Sequence, residues 1–588
     1  RPDQRKHALQ KDYKFNGVQR NDPVADARLC RVLLEGLVGA YHGLPMRFRE
    51  ILAGLLHDHD GYNGFFQRVD PAKCLPINGL LLSKIIAEMQ GLICANADLK
   101  RLSENGPVEF AMVLAILRGP QPELFTPSWL LMRYPHVQRA YRRLRTLACK
   151  DPQCSYCNDK LDPRVNLKKH FQYPEFRRFE GDLPGELPLQ ERAVQAALRD
   201  ESFLVIFPTG GGKSITFQLP AIIRAQANNA LTVVISPLVS LMKDQVDNLR
   251  IKHDYTHATA INGLLSPLER QQAIDLVADG SVNLLYVAPE SLRSNTILRL
   301  LMGRIIDRFV IDEAHCFSAW GQEFRVDYLY IAKFIKELEK ICKRPTPIPV
   351  SCFTATARKE VITDIMKYFG ERLSLEMQLF STMQGRQNLS YNALKTADKE
   401  TKEARLLELL EATDEPAIIY VSRVKMSHRL QEFLQRRGFN VEAYNGKMDR
   451  QDKNRIQEAF LAGEIRIIVA TSAFGMGVDK DNVAMVIHYE ISNSLENYVQ
   501  EAGRAGRNQS MQAKCVILFD ESDLSKHFEL LQGMKLNKKD IEQIWQGIKA
   551  FQGDKILKSA LEIARKAGWD TEMRDLETRV RAAVNALE

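Results

Sequence analysis

Three glycines and a lysine stand together in FPTGGGKS, residues 207–214, after the apolar run FLVIF (203–207) and before ITFQLPAII. A strand, a glycine turn and a helix in that order make a phosphate cradle. The backbone N–H groups of Gly210, Gly211 and Gly212 can crowd around phosphate oxygens, and the helix start adds the positive end of its dipole. In that frame Thr209 lines the loop, Lys213 reaches the β- and γ-phosphates, and the Ser214 hydroxyl binds Mg²⁺. The strict pattern G-x-x-x-x-G-K-S wants glycine at 207, where Phe207 stands. Further on, RFVID (308–312) ends on Asp312 and Glu313, which places both carboxylates at the carboxyl edge of a sheet, where α/β folds bind ligands. Asp312 suits the shell of a magnesium ion, and Glu313 suits orienting and deprotonating an attacking water. In YVQEAGRAGRN (498–508), Arg504 and Arg507 offer guanidinium groups that can neutralise charge developing on a γ-phosphate. If they come from a second body, hydrolysis depends on closure.

Two parallel sheets are needed to hold these groups. Short β-branched runs alternate with helical patterns from about 186: FLVIF, LTVVIS (231–236), VNLLYV (282–287), RFVID and PVSCFTA (349–355). A second block repeats the alternation in AIIYVS (417–422), NVEAYN (440–445), IRIIVAT (465–471), AMVIHY (484–489) and KCVILF (514–519). The polar stretch 392–403 reads as the linker between them. The expected fold class is α/β, with parallel-sheet lobes at 186–390 and 391–525. An α-helical domain at 1–145 precedes them, because apolar residues there recur at three- and four-residue spacing. A basic segment at 146–185 follows that domain, and helices resume at 526–588. The chain opens without Met and stops inside a helical pattern, so the expectation is a piece of a longer protein.

The 588 residues are 45% hydrophobic and 26% charged, enough apolar sequence for several cores. No run of about 18 apolar residues lacks charges, which argues against a membrane span. The ten cysteines form no regular framework, so a reducing compartment is expected, cytoplasmic or nucleoid-associated. The net charge is +8. Residues 133–178 hold twelve Lys/Arg against four Asp/Glu, so the whole excess sits in one block. A local basic block is an electrostatic footprint for nucleic acid, with a solvated helix face as the other reading.

The motifs together resemble the RecQ-type helicases of superfamily 2, over roughly residues 186–525 and in the family's order. Gln190 matches the adenine-reading glutamine, FPTGGGKS the Walker A loop, and ISPLVSLMKDQ (235–245), with Ser236, Pro237 and Lys243, the motif that contacts the DNA backbone. YVAPESL (286–292), DEAHCFSAWGQEFR (312–325), FTATA (353–357), IIYVSR (418–423), VATSAFGMGVDK (469–480) and QEAGRAGR (500–507) follow. The resemblance implies RecA-like lobes and ATP·Mg²⁺-driven movement 3′→5′ on DNA, single-stranded or tailed duplex. It makes Arg507 the arginine finger and Arg504 a second phosphate ligand, with Gln500 beside them in the catalytic set. Thr354 and Thr356 would couple the lobes; Thr471 and Asp479 would link nucleotide state to strand contact. After the DEAH residues comes an aromatic-rich loop that senses single-stranded DNA in this family, occupied here by Phe317, Trp320, Phe324 and Arg325. Base–aromatic stacking contributes about 1–3 kcal/mol per base whatever the sequence. Burial between the lobes is the other reading of these aromatics, Phe317 above all.

The chain departs from the family in two places. Only Cys515 lies beyond Cys352, so the usual four-cysteine module after the second lobe is absent, and the final helices could only open a winged helix. In the N-terminal third, Cys154 and Cys157 form C-x₂-C with His170 twelve residues on, and Cys149 could complete a Cys₃His zinc set. The readings that remain are a DNA helicase, a translocase that does not unwind, and a DNA-binding ATP switch that recruits a protein partner through its N-terminal helices.

Overall fold

The computed structural model describes residues 23–57, 59–69, 79–118, 135–146, 148–149, 151–179, 181–237, 239–263, 265–317, 326–344, 346–355, 359–382, 386–474, 480–508, 510–521, 523, 537–551, 553, 558–571 and 576–587. They fall into two units, one made of residues up to 161 and the other, apart from 127–132, of residues from 162 onward.

The N-terminal unit is helical, as its periodicity predicts. Its helices are α1 (Pro23–His42), α2 (Met46–Leu56), α3 (Asn63–Val69), α4 (Gly79–Glu88), α5 (Leu99–Asn105), α6 (Pro107–Leu117) and α7 (Pro135–Arg145). Phe48, Ile51, Leu81, Ile85, Phe110 and Leu114 are fully buried at their shared core. The unit ends in a π-helical turn, Cys157–Leu161. The basic segment expected at 146–185 is therefore divided, its first part in this unit and its second in the other.

In the second unit, α8 (Pro163–Phe171) and α9 (Leu189–Leu198) lead into the first sheet. That sheet comprises β1 (Ser202–Ile206), β2 (Leu231–Ile235), β3 (Ala258–Ile261), β4 (Leu284–Val287), β5 (Ile306–Ile311), β6 (Val350–Thr354) and β7 (Met377–Ser381). They pair in the order β3-β4-β2-β5-β6-β1-β7. The pairings are all parallel. β1 and β2 are buried at every position, which is why they are continuous apolar runs. Each such side chain contributes about 1.5–3 kcal/mol of burial. Between the strands run α10 (Lys213–Asn228), α11 (Val239–His253), α12 (Pro267–Asp279), α13 (Asn295–Met302), α14 (Ile331–Ile341) and α15 (Lys359–Leu373).

The second sheet comprises β8 (Leu389–Lys395), β9 (Ala417–Tyr420), β10 (Val441–Tyr444), β11 (Ile467–Ala470), β12 (Met485–His488) and β13 (Ala513–Phe519). Their order is β10-β11-β9-β12-β13-β8. Helices α16 (Lys399–Glu411), α17 (Val424–Gln435), α18 (Arg450–Ala462) and α19 (Leu495–Ala502) cover it. The stretch 392–403 is not a linker. Its first residues are β8, paired with β13 over Leu389–Lys395, and its last begin α16 behind the N-cap Asp398. A final bundle of α20 (Lys538–Lys549), α21 (Ala560–Lys566) and α22 (Leu576–Leu587) closes around Ile544, Ala564, Trp569 and Val580. No strand occurs among its described residues. No described helix is long and apolar enough to cross a membrane.

Candidate active site

The phosphate loop joins β1 to α10, and its backbone leaves little room for side chains. Gly210 and Gly212 have φ of 74° and 79°, in the left-handed region that favours glycine. A Cβ on Gly211 would lie 2.8 Å from Pro208 O. Phe207, where the strict pattern wants glycine, is fully buried and packs its ring 4.6 Å from that of Phe179. The departure is thus filled by the strap that precedes α9. Arg164, in the first turn of α8, ties that helix to α9 through two bonds to Glu191, 2.8 and 3.0 Å. Gln190 works between strap and loop. Its Oε1 accepts from the Arg177 N–H (2.8 Å) and its Nε2 donates to Gly212 O (3.1 Å). Arg177 Nη1 in turn donates to Gly210 O.

A cavity of about 370 Å³ opens over the loop. Thr209, Lys213 and Ser214 line it from below, with Phe171 and Tyr173 of the strap and His253 of α11 to one side. Asp312 and Glu313 enter from the end of β5, and Gln500, Arg504 and Arg507 from the end of α19. Lys213 Nζ donates to Phe207 O at 3.4 Å. The Asp312 carboxyl is pushed up to about 7, first by burial and then by the neighbouring Glu313 charge, against the pull of Lys213, the Glu313 N–H and the Ser236 hydroxyl. Two adjacent carboxylates in a dry pocket favour a bound cation.

Glu313 takes φ of 49°, a backbone conformation that costs a non-glycine residue about 1–2 kcal/mol. That turn aims its carboxylate across the cleft. Gln500 Nε2 donates to Glu313 Oε2 at 3.3 Å, and His315 Nδ1 lies 3.3 Å from the same oxygen. His315 Nδ1 is also 3.0 Å from Thr354 Oγ1. A chain of polar contacts therefore runs from α19 through the DEAH residues to the end of β6. The two lobes meet closely here, since a Cβ on Gly503 would lie 2.9 Å from the Thr209 Cβ. The turn that carries Arg504 and Arg507 is tied from the start of the second lobe. Arg386 Nη1 donates to Gly503 O (2.8 Å) and its Nη2 to Gly506 O, while Asn388 Nδ2 donates to Gly506 O (2.7 Å) and Met511 O (2.9 Å).

Thr209 Oγ1 and Arg504 Nε, buried polar atoms of this cavity, have no hydrogen-bond partner among the described residues. Groups buried in this way are normally satisfied, and phosphate oxygens are acceptors of the right kind for both. With the paired acids, the residues present fit a nucleoside triphosphate with Mg²⁺, held through Ser214 and Asp312.

Two sequence expectations need correction, those for Phe317 and His170. Phe317 is not a stacking platform: it is buried in the first lobe, its ring 4.8–5.1 Å from those of Tyr368, Phe369 and Tyr328. Ser236 and Pro237 are buried directly after β2, and Ser236 Oγ donates to Asp312 Oδ2 (3.4 Å). Lys243, on α11, is exposed. Thr471 is buried after β11, its N–H bonded to Tyr444 O at 3.1 Å. Gln190 is 3% exposed and spends both ends of its amide on the protein, so here it braces the phosphate loop. Trp320, Phe324, Arg325, Thr356 and Asp479 lie outside the described residues. His170 does not join the cysteines. Its ring Nε2 lies 3.0 Å from Gln226 Nε2 on α10, while Cys149, Cys154 and Cys157 are joined by Cys94. Sequence reasoning also missed Arg177, Arg386, Asn388 and Cys94, whose partners are distant in the chain.

Comparison with known proteins agrees with this geometry. Residues 187–365 match the DEAD/DEAH box helicase family, and residues 401–509 the helicase conserved C-terminal domain. The chain is 36% identical over 362 residues to the ATP-dependent helicase SGS1 of Saccharomyces cerevisiae, covering 60% of this chain and 24% of that one. It is 36% identical over 359 residues to the ATP-dependent DNA helicase RecQ of Bacillus subtilis, covering 61% and 56%. The chain thus spans between a quarter and three-fifths of these relatives. A solved structure of Mss116p bound to ssRNA and AMP-PNP superposes with a TM-score of 0.50 at 15% identity, covering 75% of this chain and 93% of that one. That likeness is one of fold.

Proposed function

We propose that this chain, whose two-lobed core belongs to the RecQ-type helicases of superfamily 2, hydrolyses ATP between its lobes and uses the closure to move 3′→5′ along single-stranded DNA, separating strands as it goes. The observation that carries the reading is the Gln500–Glu313 contact, with Arg504 and Arg507 lining the same cavity as Lys213. Ser214 and Asp312 would hold Mg²⁺, which would supply charge neutralisation at the phosphates. The protein's own groups divide the remaining work. The loop N–H groups and Lys213 hold the phosphates, and Glu313 orients the attacking water and takes its proton. Arg507 stabilises charge as the terminal phosphoryl leaves, and Arg504 holds the phosphates from the second lobe. Gln500 keeps the Glu313 carboxylate aimed across the cleft. Because the arginines ride on the second lobe, hydrolysis is complete only when the lobes close, which couples the chemistry to a stroke. DNA as the track rests on the likeness to RecQ.

A second reading, translocation without strand separation, is favoured by one observation. The described residues after the second lobe form three helices and no hairpin that could split a duplex. Strand displacement on duplexes with a 3′ or a 5′ tail tests both. Opening of the 3′-tailed substrate alone supports the helicase. DNA-stimulated hydrolysis without opening supports the translocase, and turnover that single-stranded DNA does not stimulate contradicts both.

A further inference from the structure

We propose that the N-terminal unit binds a structural zinc ion through Cys94, Cys149, Cys154 and Cys157. The four sulfurs all lie within 4.8 Å of one another, and those of Cys149 and Cys157 are 3.6 Å apart. Zinc–sulfur bonds of about 2.3 Å in a tetrahedron set the sulfurs about 3.8 Å apart, within the spread seen here. A disulfide would need about 2.05 Å, and all four cysteines are free.

The surroundings are built as a metal knuckle is. Cys94, Cys154 and Cys157 are buried and Cys149 is half-buried. The Cys149 N–H donates to Cys157 Sγ, and Asn96 Nδ2 donates to Cys149 Sγ, each at 3.4 Å. Donors of this kind stabilise and orient metal-bound thiolates. Asn96 is itself fixed by Asp151 Oδ2 at 2.8 Å. The Cys94 N–H donates to Leu144 O at 2.9 Å, which brings the turn before α5 onto the end of α7. Beside the cluster, Tyr156 is buried between Cys154 and Cys157 in the chain and locks onto Arg145. Its hydroxyl donates to Arg145 O at 2.8 Å and accepts from Arg145 Nε at 3.2 Å. The ion would thus fasten two segments far apart in sequence into one corner of the helical unit. The thiols lose their protons as the metal binds.

The spacing C-x₄-C-x₂-C of Cys149, Cys154 and Cys157 also occurs in iron–sulfur proteins. A cluster of several irons must stand between its four sulfurs, and a span of 4.8 Å leaves room for a single ion. Among single ions, four thiolates in a closed tetrahedron are the common structural set for zinc, and colour separates it from iron in the same set.

The test is metal analysis of the full chain, purified under reducing conditions without chelators. About one zinc per chain is expected in the parent protein and in His170→Gln, with an approximately tenfold or greater loss in Cys94→Ser. Should Cys94→Ser fail to fold, cobalt exchanged into the parent protein gives the same answer, through the sulfur-to-cobalt absorption of a tetrahedral four-thiolate site. A protein without stoichiometric metal, a coloured protein containing iron, full zinc in Cys94→Ser, or a cobalt spectrum without thiolate bands would overturn the proposal.

Discussion

In the first lobe, the groups in and around the phosphate loop are fixed by their own surroundings: Gly211 by contact with Pro208, Gln190 by the strap and the loop, Asp312 by burial and the Ser236 hydroxyl. In the second lobe, Gln500, Arg504 and Arg507 stand at one helix end, and the turn beyond it hangs from Arg386 and Asn388. One half of the site is therefore built around the phosphate loop, and the other half is carried on a separate sheet. On the proposed function, the first lobe supplies most of the binding and the chemical step needs both.

Substitutions can break that division of labour, beginning with the largest effect. Lys213→Ala should lower kcat by about 10³-fold or more and weaken ATP binding as well, with single-stranded DNA affinity retained in an anisotropy titration. Arg507→Ala should lower kcat about 10³-fold while nucleotide affinity changes only a few-fold, as measured with a fluorescent ATP analogue. Arg386→Ala removes the ties to Gly503 O and Gly506 O behind the turn that carries Arg504 and Arg507, so a loss of about 10-fold in kcat with little change in nucleotide affinity is expected. Phe317→Leu should leave DNA affinity alone and cost about 1 kcal/mol of stability in thermal unfolding, because the ring fills the core of the first lobe.

The phosphate loop, the DEAH residues and ten of the thirteen strands could be read from the chain, because short-range spacing or a buried apolar run encodes each of them. The three strands missed, β3, β7 and β8, all lie at sheet edges. An edge strand is only partly covered, and β8 is buried at Leu389 and exposed along the rest of its length, so no apolar run marks it. Arg386 and Asn388 were illegible for a related reason: their partners lie more than a hundred residues away and are backbone carbonyls, which have no sequence signature. Cys94 escaped because metal-site reasoning looks for close spacing, and its three companions begin 55 residues later. Phe317 misled in the opposite direction, since an aromatic beside a functional motif reads as functional until its packing is known.

The central claim is that one nucleotide is bound by the first lobe and hydrolysed only with the second. Its most direct measurement is ATP affinity and single-turnover hydrolysis, side by side, in the parent protein and in Arg507→Ala with single-stranded DNA present. Affinity within a few-fold of the parent and hydrolysis lower by about 10³-fold are predicted. Hydrolysis at the parent rate, or an equal collapse of affinity and rate, would contradict the account.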